Sequence, residues 1–363
     1  MAQAGSIGRD KQSDAARLLL AAARERFAVA ATDLLLPDSV RLTEWQRLTA
    51  SGLLDRIVRG IEDNLRTRLA VAFEGHEALH AALSSAHVPI ALPILERAQV
   101  LRDAELSNIL VRRVEEHRFW KKASTGRDAY LFELVRDADE NIATEAMAVI
   151  IARSRRFDRF QDAAVGQIEL PADLQHKLVW MVAAALRQYV SQQHAVRSVD
   201  SAVEEAASAI IAGYDEGESL EAHALRLARR LHRTGRLDGS ALARIAGEGV
   251  LPFFIAGLSV LCALDHVAAW EVLSDPRGRG PALMLRAAGI ERDDAAAILL
   301  ALNERGPFIS GAESDAAAEQ LELFDTVDEA AAKDVLRLWQ AHPSYRASVA
   351  RISTRSRPSA DAA

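Results

Sequence analysis

The string His76-Glu77-Ala78-Leu79-His80 has the residue types and spacing of a zinc-hydrolase motif. Two imidazoles four residues apart stand one helical turn apart and can share a Zn²⁺, while the intervening glutamate can act as general base toward a metal-bound water. On that reading His76 and His80 are the ligands and Glu77 the base. The surroundings argue the other way. Glu74 places a charge where zinc peptidases usually carry an uncharged residue, Gly75 puts His76 in the first turn of a helix, and Glu96 and Glu105 sit in no recognisable second motif. A carboxylate-bridged di-iron site would need a second Glu-x-x-His pair, and only the distant Asp173 to His176 variant is present. The string therefore reads as a solvated helix face, and no cofactor is expected, with zinc belonging to the alternative alone.

Basic and aromatic residues interleave at Arg118-Phe119-Trp120-Lys121-Lys122 and again at Arg153, Arg155, Arg156, Phe157, Arg159 and Phe160. Such mixtures anchor protein partners or, by stacking bases and neutralising phosphates, bind nucleic acid. They depart most from plain amphipathic helix and are the expected contact surface, with another protein or a second copy of the chain as partner. Nucleic acid is the lesser alternative, because the formal charge of −7 gives no chain-wide attraction to polyanions.

Asp275 to Pro281 reads as a plain turn feeding a helix, with an anion held by Arg277, Arg279 and the backbone amides as the lesser alternative. No strand precedes it, no G-x-S-x-G elbow or P-loop lysine occurs, and the one cysteine, Cys262, lies in an apolar stretch that suits a buried thiol in a reducing compartment. The first residues carry no apolar signal core, and the longest uncharged run, Val250 to Leu264, is too short to span a bilayer. A cytoplasmic protein without a membrane span is expected.

The elements that must carry these residues are all helices. With half of its 363 residues apolar, the chain can bury a sizeable core without metal or disulfide. Leu19, Ala23, Phe27, Ala30 and Leu34 recur at helical spacing until Pro37, and Thr43 with Gln46 has capping-box spacing ahead of Leu53, Ile57, Ile61 and Leu65. Gly52 is a candidate kink. Pro171 opens a helix striped by Leu174, Leu178, Met181, Val182, Ala185 and Tyr189, and Val250 to Leu264 reads as a buried helix. The fold class is all-α: a HEAT-like helical array followed by a second compact helical unit. The expected divisions are a disordered N-terminus at 1–13, the array at 14–195, the second unit at 196–305, a helical extension at 306–352 after the Gly306-Pro307 and Ser310-Gly311 linker, and a disordered tail at 353–363.

Several stretches together resemble the bacterial family called domain of unknown function 2336, over about residues 60 to 305. They are Pro93-Ile94-Leu95-Glu96-Arg97 with Leu101 to Leu106, Leu170-Pro171-Ala172-Asp173-Leu174 leading to Trp180 and Ala183 to Arg187, Gly235-Arg236-Leu237 before Phe253-Phe254, and Leu283 to Gly289 before Ile298-Leu299-Leu300. The resemblance implies a HEAT-type stack and a compact helical unit, and carries no catalytic residues. The chain departs from the family pattern around Arg118 to Tyr130, and His76 and His80 are no part of it.

A non-enzymatic scaffold or adaptor is thus the expected function. The zinc alternative predicts about one zinc per chain by metal analysis, lost in His76→Ala or His80→Ala while the fold survives. The nucleic-acid alternative predicts affinity that falls steeply with added salt.

Overall fold

Every described element of the computed structural model is an α- or 3-10 helix. The structure describes residues 42–85, 88–123, 129–158, 160, 169–193, 199–275, 278–305, 316–342, 344–346 and 348–349. The expected disordered N-terminus, the helix expected around Leu19 to Leu34, the 306–315 linker and the expected tail lie outside these residues. Contacts divide the chain into two units, one formed by Leu42–Val114 with Ile151–Ala222 and the other including Glu115–Ile150 and the chain from His223 onward. The sequence reading cuts at 195/196 and 305/306, where turn residues cluster. Packing groups the chain discontinuously because helices more than a hundred residues apart share a core.

The first unit is organised on the long helix α1 (Glu44–Ala72). Its start is the expected capping box: the Thr43 hydroxyl accepts from the Gln46 amide at 3.2 Å, and the Gln46 side chain accepts from the Thr43 amide at 2.7 Å. The helix runs through Gly52 unbroken. Leu53, Ile57, Ile61, Leu65 and Leu69 form its buried stripe, packed against α2 (Glu77–Ser84), α3 (Ala91–Arg97), α7 (Ala172–Gln193) and α8 (Val199–Ala212). From α7 come Leu178, Val182, Leu186 and Val190, much as the Pro171 stripe predicts, and from α8 Val203 and Ala207. The unit also takes α4 (Ala104–Lys122) through Val114 and α6 (Glu140–Phe157) from Ile151.

Short helices expose a problem that long ones dilute, since each end leaves backbone groups without partners inside the helix. Between α2 and α3 two side chains of α1 solve it. Arg66 donates to the carbonyls of Leu83 at 2.8 Å, Ala82 at 3.1 Å and Val88 at 3.1 Å, and to that of Ser85. Glu62 accepts from the amides of Ile90 and Ala91, both at 2.9 Å, and so caps α3. The two pair with each other at 3.2 Å and are 1% and 4% exposed, Glu62 and Arg66 respectively.

The second unit takes α4 from Glu115, α5 (Ala129–Val135), α6 through Ile150 and α9 (Leu220–Arg233) from His223. There follow α10 (Gly239–Glu248), α11 (Leu251–Cys262), α12 (His266–Leu273), α13 (Arg279–Ala287), α14 (Arg292–Arg305), α15 (Ala316–Thr326) and α16 (Glu329–Leu336), closed by a 3-10 turn at Arg337–Gln340. From α10 to α13 each helix packs on the next, and α14 returns to α10. Asp238 and Asp265 cap α10 and α12 by accepting from Ala241 and Ala268 at 2.8 and 2.6 Å. In α11 the whole run Leu251–Ser259 is buried, as expected of Val250 to Leu264. No single helix among the described residues is long and apolar enough to cross a membrane; α11 and α12 meet that test only jointly, bent by 104°.

Two glycine sites fix close approaches. At Gly280 a Cβ would fall 1.7 Å from the Val272 carbonyl oxygen, so α13 meets the end of α12 backbone to backbone. Gly249 has φ +78° and faces Ala123 at a distance that leaves no room for a side chain. The stretch after the linker packs onto α13 and α14: Arg286 donates to the Val327 carbonyl at 2.8 Å with its guanidinium over the Phe324 ring, and Arg346 holds the Trp339 and Ala341 carbonyls and Glu271.

Arg66→Ala is expected to destabilise the protein by about 3–5 kcal/mol, because it strands Glu62 as a buried, unpaired carboxylate. Urea denaturation measures this, and the double change Glu62→Gln with Arg66→Met is expected to cost less than the single one. A loss in Arg66→Ala below about 1 kcal/mol would show that the pair does not hold the α2 to α3 connection.

Candidate interaction surface

His76 is the residue before α2, with φ −116° and no cap made by its side chain. Its ring lies edge-on to Phe73 at 6.3 Å, and its carbonyl accepts from the His80 amide at 2.8 Å. His76 and Glu77 are exposed and His80 half-buried. Both imidazoles thus keep the one-turn spacing, but among the described residues no three His, Cys, Asp or Glu side chains gather into a group that could hold a metal. Glu105, one of the candidate third ligands, lies instead beside Asp103 and Asp173, where burial and those two carboxylates raise its pKa.

The basic and aromatic stretches divide by helical phase. On α4, Phe119 is fully buried, Trp120 is half-buried, Arg118 pairs with Glu115 at 2.7 Å, and Lys121 and Lys122 are exposed in the last turn, where cations suit the helix dipole. On α6 and just beyond it, Arg153, Arg156, Phe157 and Phe160 are buried, while Arg155 is exposed. Arg159 lies outside the described residues. The expectation that both stretches form a contact surface is therefore corrected at Phe119, Arg153, Arg156, Phe157 and Phe160. A period of 3.6 turns these onto the inner face, and the charges among them are not rim charges.

What receives Arg156 is a buried cluster in the first unit. Its guanidinium makes a two-pronged pair with Glu221 at 2.7 and 2.8 Å and approaches Glu169 at 3.5 Å. Arg113 bonds the same Glu221 carboxylate and donates to the Glu169 backbone carbonyl at 2.8 Å, while Arg112 reaches Glu221 at 3.4 Å. Burial alone would raise the Glu221 carboxyl; Arg113, Arg156 and Arg112 outweigh it and hold the group well below the usual carboxylate range. Tyr214, raised by burial, donates its hydroxyl to the Leu170 carbonyl. Each of these groups is engaged in fixing α4, α6 and the approach to α7. Cys262 is equally structural: burial pushes its thiol up to about 12 and it faces the Met284 carbonyl at 3.5 Å.

On α9 the phase runs the opposite way. Ala224, Leu227, Ala228 and Leu231 face inward, and between Glu221 and Asp238 the outward side carries Arg226, Arg229, Arg230, Arg233 and Arg236 with no carboxylate among them. Arg226 pairs with Glu145 of α6 at 3.1 Å and Arg236 with Asp137 at 2.6 Å. Arg229 and Arg233 are exposed and Arg230 half-exposed, and no hydrogen bond or ion pair joins any of the three guanidinium groups to the described residues. The sequence marks a helical segment at Leu220 to Leu231 but assigns its arginines no role. The acid-free run of arginines on one side of an amphipathic segment is the signal that marks it.

A family model described as an uncharacterised protein conserved in bacteria (DUF2336) matches residues 123–337. That match opens after α4 and runs on through α15 and α16, later at both ends than the resemblance read from the sequence. No curated protein and no solved structure matches the chain.

Because the folded pKa of Glu221 lies below its unfolded value of about 4.3, its contribution to stability is complete above that pH and is lost as pH falls toward the folded value. Glu221→Gln is expected to cost about 3–5 kcal/mol at neutral pH and to flatten the acid limb of stability against pH, both read from urea titrations. An acid limb identical to that of the parent would contradict the cluster's role.

Proposed function

We propose that this chain, which belongs to the bacterial family of uncharacterised proteins DUF2336, is a non-enzymatic, cytoplasmic scaffold or adaptor that binds another protein or a second copy of itself. The observation that carries the reading is where the charged side chains go. Inside each unit, arginines and carboxylates are consumed in helix ends and buried pairs, while at the surface Lys121 and Lys122 are left outward on α4, beside Arg118, which pairs with Glu115, and partly buried Trp120. A cationic rim around a partly buried tryptophan is a chemistry suited to protein contact. The short helices α2 and α3, both packed on α1, support a HEAT-like array over 14–195 as the form in which such surface is displayed. The buried, protonated Cys262 supports a reducing compartment.

Native mass spectrometry of the untagged protein from its own host tests this. A discrete heteromeric or dimeric mass is expected, weakened about tenfold in Lys121→Glu with Lys122→Glu, two rim charges reversed at once. A bare monomer would refute the reading, and a monomer holding one zinc lost in His76→Ala would replace it with the hydrolase alternative on His76, Glu77 and His80.

A further inference from the structure

The row of arginines on α9 is not explained by the fold. Cations in a helix's last turn are favoured by its dipole, which accounts for Arg230 and Arg233 standing there. It does not account for the absence of counter-charges among the described residues, in a chain with more acidic than basic residues, 51 against 44. Several exposed arginines elsewhere find carboxylates, Arg187 with Asp200, Arg244 with Glu133 and Arg292 with Asp325, and those that do not, such as Arg47, Arg97, Arg102 and Arg136, stand singly and not in a row. The two ends of the row, Arg226 on α9 and Arg236 just beyond it, pair with Glu145 and Asp137, and among the described residues the pairing stops between them.

We infer that Arg229, Arg230 and Arg233 dock an acidic segment of a partner protein, whose Asp and Glu side chains continue the carboxylate row that Glu145 and Asp137 begin. The charged groups all lie on one helix, with Arg226 and Arg233 about 10 Å apart along its axis, a span that a few extended residues of a partner cover. Guanidinium groups present paired donors that match a carboxylate. His232 is the one ring exposed among these residues, so the surface lacks the aromatic platforms on which unpaired bases stack. That observation favours an acidic peptide over nucleic acid. This inference rests on the reading of the chain as a binding protein and names the chemistry of its partner.

The full-length protein is titrated with fluorescein-labelled deca-glutamate and, separately, with single-stranded and duplex DNA of matched charge, at about 50 mM salt where surface charges are little screened. The peptide is expected to bind more tightly than either DNA, and R229E/R230E/R233E to weaken it by about tenfold or more, with the neutral R229Q/R230Q/R233Q triple intermediate and Arg47→Glu, an exposed reversal in the other unit, without effect. Circular dichroism melting confirms that the variants stay folded. Equal peptide binding by parent and triple variant, no peptide binding at all, or tighter binding of DNA would each overturn the inference. Its failure is separable from that of the scaffold reading. A host partner lost with Lys121→Glu and Lys122→Glu but retained by R229E/R230E/R233E would sink this surface alone, and peptide capture by a protein with no host partner would sink the other.

Discussion

An all-helical chain cut into short helices must satisfy many helix ends away from water, and that constraint governs this structure more than any single packing contact. The Glu62 and Arg66 pair is its clearest expression. One residue turn apart on α1, they close the end of α2 and the beginning of α3 at the same time, the arginine supplying donors to carbonyls and the carboxylate accepting from amides. Placing both on one rigid helix makes the α2 to α3 connection a property of α1. Arg286 and Arg346 repeat the device in the second unit by holding the carbonyls of Val327, Trp339 and Ala341.

Buried charge of this kind stabilises mainly in the sense that its loss is costly. A well-packed apolar replacement of a whole pair can be neutral, whereas removal of one partner leaves an ion without solvent. Glu221 shows the logic at its most concentrated, since one carboxylate answers three guanidinium groups. Arginine suits this task because its delocalised charge and planar set of donors reach several acceptors at once. The same preference at the surface, on α9, leaves groups whose geometry fits carboxylates but which no other described residue answers.

Much of the helical architecture was readable from local signals. The Thr43 and Gln46 box, the α7 stripe from Leu174 to Tyr189, the buried α11 and the paired helices after the linker all rest on residues close in sequence, where period and capping chemistry decide the outcome. The site reading fared differently because it depends on contacts that spacing does not encode. Arg156 looks like a rim cation until Glu221, 65 residues on, is seen against it. Phe157 and Phe160 look like stacking platforms until helical phase turns them inward. Gly52 looks like a break, yet the apolar stripe on either side of it keeps one phase and carries the helix through. Conversely, the run from Arg226 to Arg236 is plain in the sequence, but an amphipathic helix reads as core with a solvated rim unless the charges on that rim are counted by sign.

The bend between α11 and α12 has a bearing on how the protein is made. In the folded chain the residues Leu251–Ser259 are buried. On the ribosome they emerge before α12 and α13, which pack on them, have been synthesised, and by length and composition α11 and α12 together would suffice to cross a membrane. Nascent segments of that character are what trigger-type chaperones hold and what insertion machinery samples. The Ala263-Leu264-Asp265 corner, with its Asp265 cap, divides that apolar stretch into two helices, each too short to cross a bilayer by itself.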